Sequence, residues 1–151
     1  MRYYLIPGLG ADERVFRNLR FPPRSEITCL GWITPHLGES LRAYALRMSA
    51  RIDKEEEFTL VGLSLGGMIA VEIANHRPVR RVILISSVPL SAHLPRYFRL
   101  IARSRLHQFL PVSILKNASR LKRLFTRETS EDKAMLRVMI SDCSNEFIRW
   151  A

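Results

Sequence analysis

In the first part of the chain, short apolar runs alternate with turns and amphipathic stretches. Positions 2–6 read Arg-Tyr-Tyr-Leu-Ile and are closed by Pro7-Gly8-Leu9-Gly10, which predicts a buried strand entering a tight loop. A short helix is predicted over 13–19, broken by Phe21-Pro22-Pro23-Arg24, then a strand over 27–30 and a loop from Trp32 to Leu37 with Pro35 inside it. Leu41, Ala45, Met48 and Ile52 have the three-and-four spacing of an amphipathic helix over 39–52. A third strand is predicted over 58–61, a turn at Gly62-Leu63-Ser64-Leu65-Gly66-Gly67, a helix with its body at 68–74, and a fourth strand over 80–85.

Strands that alternate with helices predict βαβ units, and near-continuous apolar strands suit a parallel sheet covered on both faces. The character changes after Ser87. Leu94, Tyr97, Phe98, Ile101 and Phe109 form one helical stripe opposite Arg96, Arg99 and Arg103, and Pro111 interrupts it. Ile114, Leu115, Ala118, Leu121 and Phe125 form a second stripe, with Lys116, Arg120, Lys122 and Arg123 off it. Thr129-Ser130-Glu131-Asp132 reads as a helix start, leading through Met135, Val138 and Met139 toward Trp150. The expected layout is a four-stranded α/β layer over 1–88 followed by a helical, cap-like segment over 89–151.

Charge sharpens that division. Residues 1–86 carry 12 basic and 9 acidic side chains, whereas residues 87–151 carry 12 and 5, so most of the net +10 lies in the second part. Solvated faces of amphipathic helices account for this excess; attraction of acidic substrates, a membrane surface or nucleic acid would be the functional readings. No base-stacking module or nucleic-acid motif is present, so nucleic-acid binding is not expected. The N-terminus lacks a signal-peptide layout, and no stretch approaches the roughly 20 apolar residues of a transmembrane segment. Cys29 and Cys143 form neither a disulfide framework nor a metal-site pattern. A cytoplasmic setting is therefore expected, with no metal and no cofactor.

The chemistry concentrates at one turn. Gly62-Leu63-Ser64-Leu65-Gly66 matches G-x-S-x-G, in which a serine sits on a sharp strand-to-helix turn. Residues two before and two after the serine are forced together and must be small, and Gly67 permits close packing beyond them. The helix start beneath the serine favours the negative charge that develops during nucleophilic attack. Gly8 and Gly10 follow the first strand, which should lie beside the strand leading to Ser64. This loop can aim the Leu9 N–H at an oxyanion together with the N–H of Leu65. A dinucleotide fingerprint fails at Glu13, where a third glycine is expected, and no P-loop lysine motif occurs.

With these residues the chain resembles the α/β-hydrolase superfamily, in particular small, mostly bacterial members of poorly defined substrate. The segments that carry the likeness are Ile6-Pro7-Gly8-Leu9-Gly10-Ala11-Asp12 with Arg14 and Phe16, Trp32 with Pro35, Glu39-Ser40-Leu41 with Tyr44-Ala45, and Gly62 through Met68. The resemblance implies a partial α/β-hydrolase fold with strands 3 to 6 of the family. It maps Ser64 onto the nucleophile, the backbone N–H groups of Leu9 and Leu65 onto the oxyanion hole, and the helices after residue 90 onto a cap. The implied substrate is a small-molecule carboxylic ester or related acyl compound.

The family order is serine, then acid, then histidine, and this chain departs from it. Between Ser64 and His107 the only carboxylate is Glu72, two turns into the following helix, and no histidine follows Asp132 or Asp142. His36, His76, His93 and His107 read as surface residues. The position after the fourth strand, Ser86-Ser87-Val88, holds no acid. The apolar helical pattern is still running at Phe147-Ile148-Arg149-Trp150-Ala151, so truncation is the simplest expectation, and the fourth strand is expected to offer an edge open to pairing. The chain is then inactive or weakly active. The alternative is a pseudoenzyme or a non-catalytic fragment that binds a ligand or protein.

Overall fold

The first apolar run forms strand β1 (Arg2–Ile6) in the computed structural model, which describes residues 1–53, 57–89 and 130–151. A 3-10 turn (Glu13–Phe16) follows, started by Asp12, whose side chain accepts the Arg14 N–H. Strand β2 (Glu26–Cys29) stops just before Leu30, whose N–H still donates to the Leu5 carbonyl at 2.8 Å. Helix α1 (Leu41–Ser49) is shorter at both ends than the apolar spacing predicts: it starts at Ser40, whose Oγ caps it by accepting the Ala43 N–H at 3.2 Å, and it ends before Ala50. Strand β3 (Phe58–Leu63) runs directly to the serine, helix α2 (Leu65–Ala74) starts directly after it, and strand β4 is Arg81–Ile85. The predicted turn at 62–67 thus contracts to a single residue, Ser64.

The four strands form one parallel sheet in the order β2-β1-β3-β4. This places β1 beside the strand that carries the serine, as expected. Side chains alternate between two layers, as strand geometry requires. Tyr4, Ile6, Phe58 and Leu60 pack with Tyr44, Ala45, Met48, Ile69, Ala70 and Ile73 of α1 and α2. Leu5 and Val61 face the other way, under Phe16 of the 3-10 turn. Among the described residues β4 is the end of the sheet, and Ile83 there is 37% exposed.

The last part of the chain folds as two helices, where the sequence pattern predicts one. Helix α3 (Ser130–Asp142) ends at Cys143, and α4 (Asn145–Trp150) starts from Ser144, whose Oγ caps it by accepting the Phe147 N–H at 3.1 Å. The break turns Phe147 into the same core as Tyr44 and Leu30, where it is 2% exposed. Trp150 stacks on Tyr44 with 4.3 Å between ring centroids and donates its indole N–H to the Glu39 carbonyl at 2.7 Å. The two basic stripes expected over 94–109 and 114–125 lie outside the described residues, as do His93 and His107.

Candidate active site

Ser64 is the joint between β3 and α2, with φ 52° and ψ −117°. A non-glycine residue in that region costs on the order of 1–3 kcal/mol and persists only where its surroundings enforce it. Here the enforcement is visible. The Ser64 N–H donates to the Ile85 carbonyl at 2.9 Å, which ties the turn to the end of β4. Its carbonyl accepts the Gly67 N–H at 3.0 Å and the Ser87 hydroxyl at 2.6 Å. The chain reaches Ser87 by turning at Ser86, which also has a positive φ of 47°.

Three glycines let the turn close. A Cβ on Gly62 would overlap the backbone of Gly67, and one on Gly66 would overlap the carbonyl oxygens of Ile6 and Pro7. One on Gly67 would overlap the Ser87 side chain. The small residues expected on either side of the serine are therefore required by contact, and the start of α2 is pressed against the end of β1.

That contact delivers the second element. A Cβ on Gly8 would lie 3.4 Å from the Ser64 Cβ and 3.4 Å from the Leu63 carbonyl, so the loop after β1 borders the serine directly. The loop is a tight turn in which the Ala11 N–H donates to the Gly8 carbonyl at 3.0 Å, with Gly10 at φ 71°. A positive φ at this third position is the signature of a type II turn, and it suits glycine. Leu9, the second residue of the turn, keeps its N–H outside the turn's own hydrogen bond, and among the described residues this amide has no backbone acceptor. Leu65 is the first residue of α2, so its N–H has no intrahelical acceptor either. These two amides, without an acceptor among the described residues, and the half-buried Ser64 thus lie at the C-terminal end of the sheet.

The nearby titratable groups are otherwise engaged. The Arg14 guanidinium binds both oxygens of Asp12 and holds its carboxyl below the ordinary value. Arg47 does the same to Glu39, whose side chain is only 5% exposed and whose pKa falls to about 2. Burial pushes the Cys29 thiol up to about 11, which leaves it a poor nucleophile at neutral pH. Glu72 lies two turns along α2 and His76 just past its end, about 10 and 16 Å from its start at 1.5 Å per residue. His36 belongs to the turn before α1, its N–H donating to Glu39. Asp132 pairs with Arg17, and Asp142 lies 3.9 Å from Arg14. Among the described residues no histidine or carboxylate is hydrogen-bonded to Ser64, and no group of three His, Cys, Asp or Glu side chains could hold a metal ion.

The Ser87 bond to the Ser64 carbonyl has no sequence signal, because its partner is a backbone atom 23 residues away. The same holds for the Trp32 indole, which donates to the Ala11 carbonyl at 2.9 Å and so touches the loop that carries Leu9.

A family model described as the alpha/beta hydrolase family matches residues 4–147. Among solved structures, MenH from S. aureus superposes with a TM-score of 0.74 at 20% identity, over 99% of this chain and 64% of that one. ClbQ from the colibactin NRPS/PKS pathway superposes with a TM-score of 0.56 at 12% identity, over 98% of this chain and 65% of that one. The chain thus spans a little under two-thirds of each of these proteins, and identities this low bear on the fold alone. No curated protein sequence matches the chain.

Proposed function

The chain belongs to the α/β hydrolase family, and from that premise we propose that it is a serine hydrolase acting on a carboxylic ester or related acyl compound. Ser64 is the nucleophile in this reading, and the N–H groups of Leu9 and Leu65 form the oxyanion hole. The observation that carries the proposal is the enforced backbone of Ser64, bordered by two amides that have no acceptor among the described residues.

Ser64 Oγ attacks the carbonyl carbon, its proton passes to a base, and the carbonyl oxygen becomes an oxyanion held by the two amides. Each such donor typically contributes about 3 kcal/mol in the transition state. Collapse expels the alcohol, and water releases the acyl group from Ser64. Among the described residues no base or acid is hydrogen-bonded to Ser64. The turn and its donors alone retain on the order of 10³–10⁴ over the reaction in water, so at least weak turnover and selective modification of Ser64 are expected. Residues 1–88 then supply the nucleophile layer and residues 89–151 a cap-like segment. Neither Cys29 nor Cys143 is in a disulfide, which suits a cytoplasmic protein.

Timed labelling with a fluorophosphonate, read by intact mass and peptide mapping, tests the assignment. Ser64 should be modified faster than any other serine of the chain, and Ser64→Ala should abolish the adduct. Labelling spread over surface serines, unchanged in Ser64→Ala, would favour a non-catalytic binding protein that keeps the turn without its chemistry.

A further inference from the structure

The oxyanion loop is held at two ends, and only one hold belongs to the sheet. At its near end, Ile6 is paired with Gly62 in the β1–β3 ladder, and Gly66 lies against the Ile6 and Pro7 carbonyls. Beyond Gly8 the chain leaves the sheet, and the turn that carries Leu9 could pivot about Pro7. Its far end is caught by Trp32, from the segment after β2, through the 2.9 Å bond from Nε1 to the Ala11 carbonyl. The indole in turn lies against Phe147 of α4, with ring centroids 4.4 Å apart. Phe147 is fixed by its burial among Tyr44, Trp150 and Trp32. Ile140 of α3 closes over the same turn: a Cβ on Gly10 would sit 3.2 Å from its Cγ1.

We infer that Trp32 is a positioning residue for the oxyanion hole: its indole N–H fixes the Ala11 carbonyl, and thereby the direction of the Leu9 N–H, while Phe147 fixes the indole. The inference rests on the proposed role of Leu9. The ring–ring contact couples that amide to α4, some 140 residues further along the chain, so the docking of the chain's last helix is felt at the site. The turn's internal bond, Ala11 to Gly8, moves with the turn and cannot orient it, and Ile140 packs over it without a directional bond, so the Trp32 bond is the directional hold on the turn's own carbonyls.

Trp32→Phe keeps an aromatic ring against Phe147 while deleting the donor and the outer part of the indole. Fluorophosphonate labelling of Ser64 should then show the maximal inactivation rate lowered about 3- to 10-fold, the effect of one lost hydrogen bond, with the reagent's half-saturating concentration unchanged within about 2-fold. A loss of general stability would not produce that split. Amide hydrogen exchange gives a readout that needs no chemistry. The Ala11 amide, bonded to the Gly8 carbonyl within the turn, should exchange several-fold faster in Trp32→Phe, with β3 amides unchanged, and Phe147→Leu should shift it in the same direction. Unaltered exchange of the Ala11 amide in both variants would overturn the inference, as would unaltered labelling kinetics in Trp32→Phe. If Ser64 of the unmodified chain labels no faster than other serines, it is the hydrolase reading that fails, and the exchange data still decide the role of Trp32.

Discussion

The hydroxyl of Ser87 donates a 2.6 Å hydrogen bond to the carbonyl oxygen of Ser64. One serine thus braces the strained turn on which the other stands, across 23 residues of sequence and from the end of the neighbouring strand. Ser87→Ala removes this brace and leaves the Ser64 carbonyl with the Gly67 N–H alone. A loss of about 1 kcal/mol in chemical denaturation is expected, with slower labelling of Ser64.

Gly66 offers a test of sign. It lies in the first turn of α2, where exchanging glycine for alanine ordinarily stabilises a helix by up to about 1 kcal/mol. Here the added Cβ would overlap the carbonyl oxygens of Ile6 and Pro7. Gly66→Ala is therefore expected to destabilise by about 2 kcal/mol or more, in the range of overpacked cores. Gly31→Ala, with nothing within 4 Å of the new Cβ, should stay within about 0.5 kcal/mol. Thermal or urea unfolding of the two variants decides.

Acid should act through Glu39. Its carboxyl is held by Arg47 at about 2, against an ordinary 4.5. Because the folded value is depressed, the stabilisation is fully present above pH 4.5 and is lost as the pH falls toward 2. Glu39→Gln should flatten the slope of stability against pH in that window and lower stability at neutral pH. Part of the slope should remain, since Asp12 is shifted the same way by Arg14. Urea midpoints measured from pH 7 down to pH 2 would show both effects.

The docking of α4 should be costly to undo. Phe147 is 2% exposed among Trp32, Tyr44 and Trp150, so Phe147→Ala is expected to cost about 3–5 kcal/mol. Trp150→Phe, which gives up the bond to the Glu39 carbonyl and part of the ring area stacked on Tyr44, should cost about 1–2 kcal/mol. The chain's two tryptophans, Trp32 and Trp150, both lie in this cluster. Intrinsic fluorescence therefore reports the docking directly, and Phe147→Ala should shift its emission to the red.

The sequence made the sheet layer and the serine turn legible for a physical reason. β1 and β3 are largely apolar on both faces, and β3 ends at Gly62, where a Cβ would overlap the backbone of Gly67, so composition and position agree. The segment after Asp142 was harder to read. No glycine or proline marks the break at Cys143 and Ser144, and the interruption depends on a serine cap that looks the same in a continuous helix. The shortening of α1 at Ser40 has the same origin. The braces from Ser87 and Trp32 end on backbone carbonyls, which carry no residue identity and leave no pattern to find. The basic stripes of the cap-like segment fall outside the described residues.

The central claim, that Ser64 is a nucleophile facing two backbone donors, is tested most directly by a crystal structure of the phosphonylated protein. The expected result is phosphorus bonded to Ser64 Oγ, with its free oxygen about 2.7–3.1 Å from the nitrogens of Leu9 and Leu65. Phosphorus on another residue, or on Ser64 with that oxygen turned to solvent and away from both amides, would contradict it.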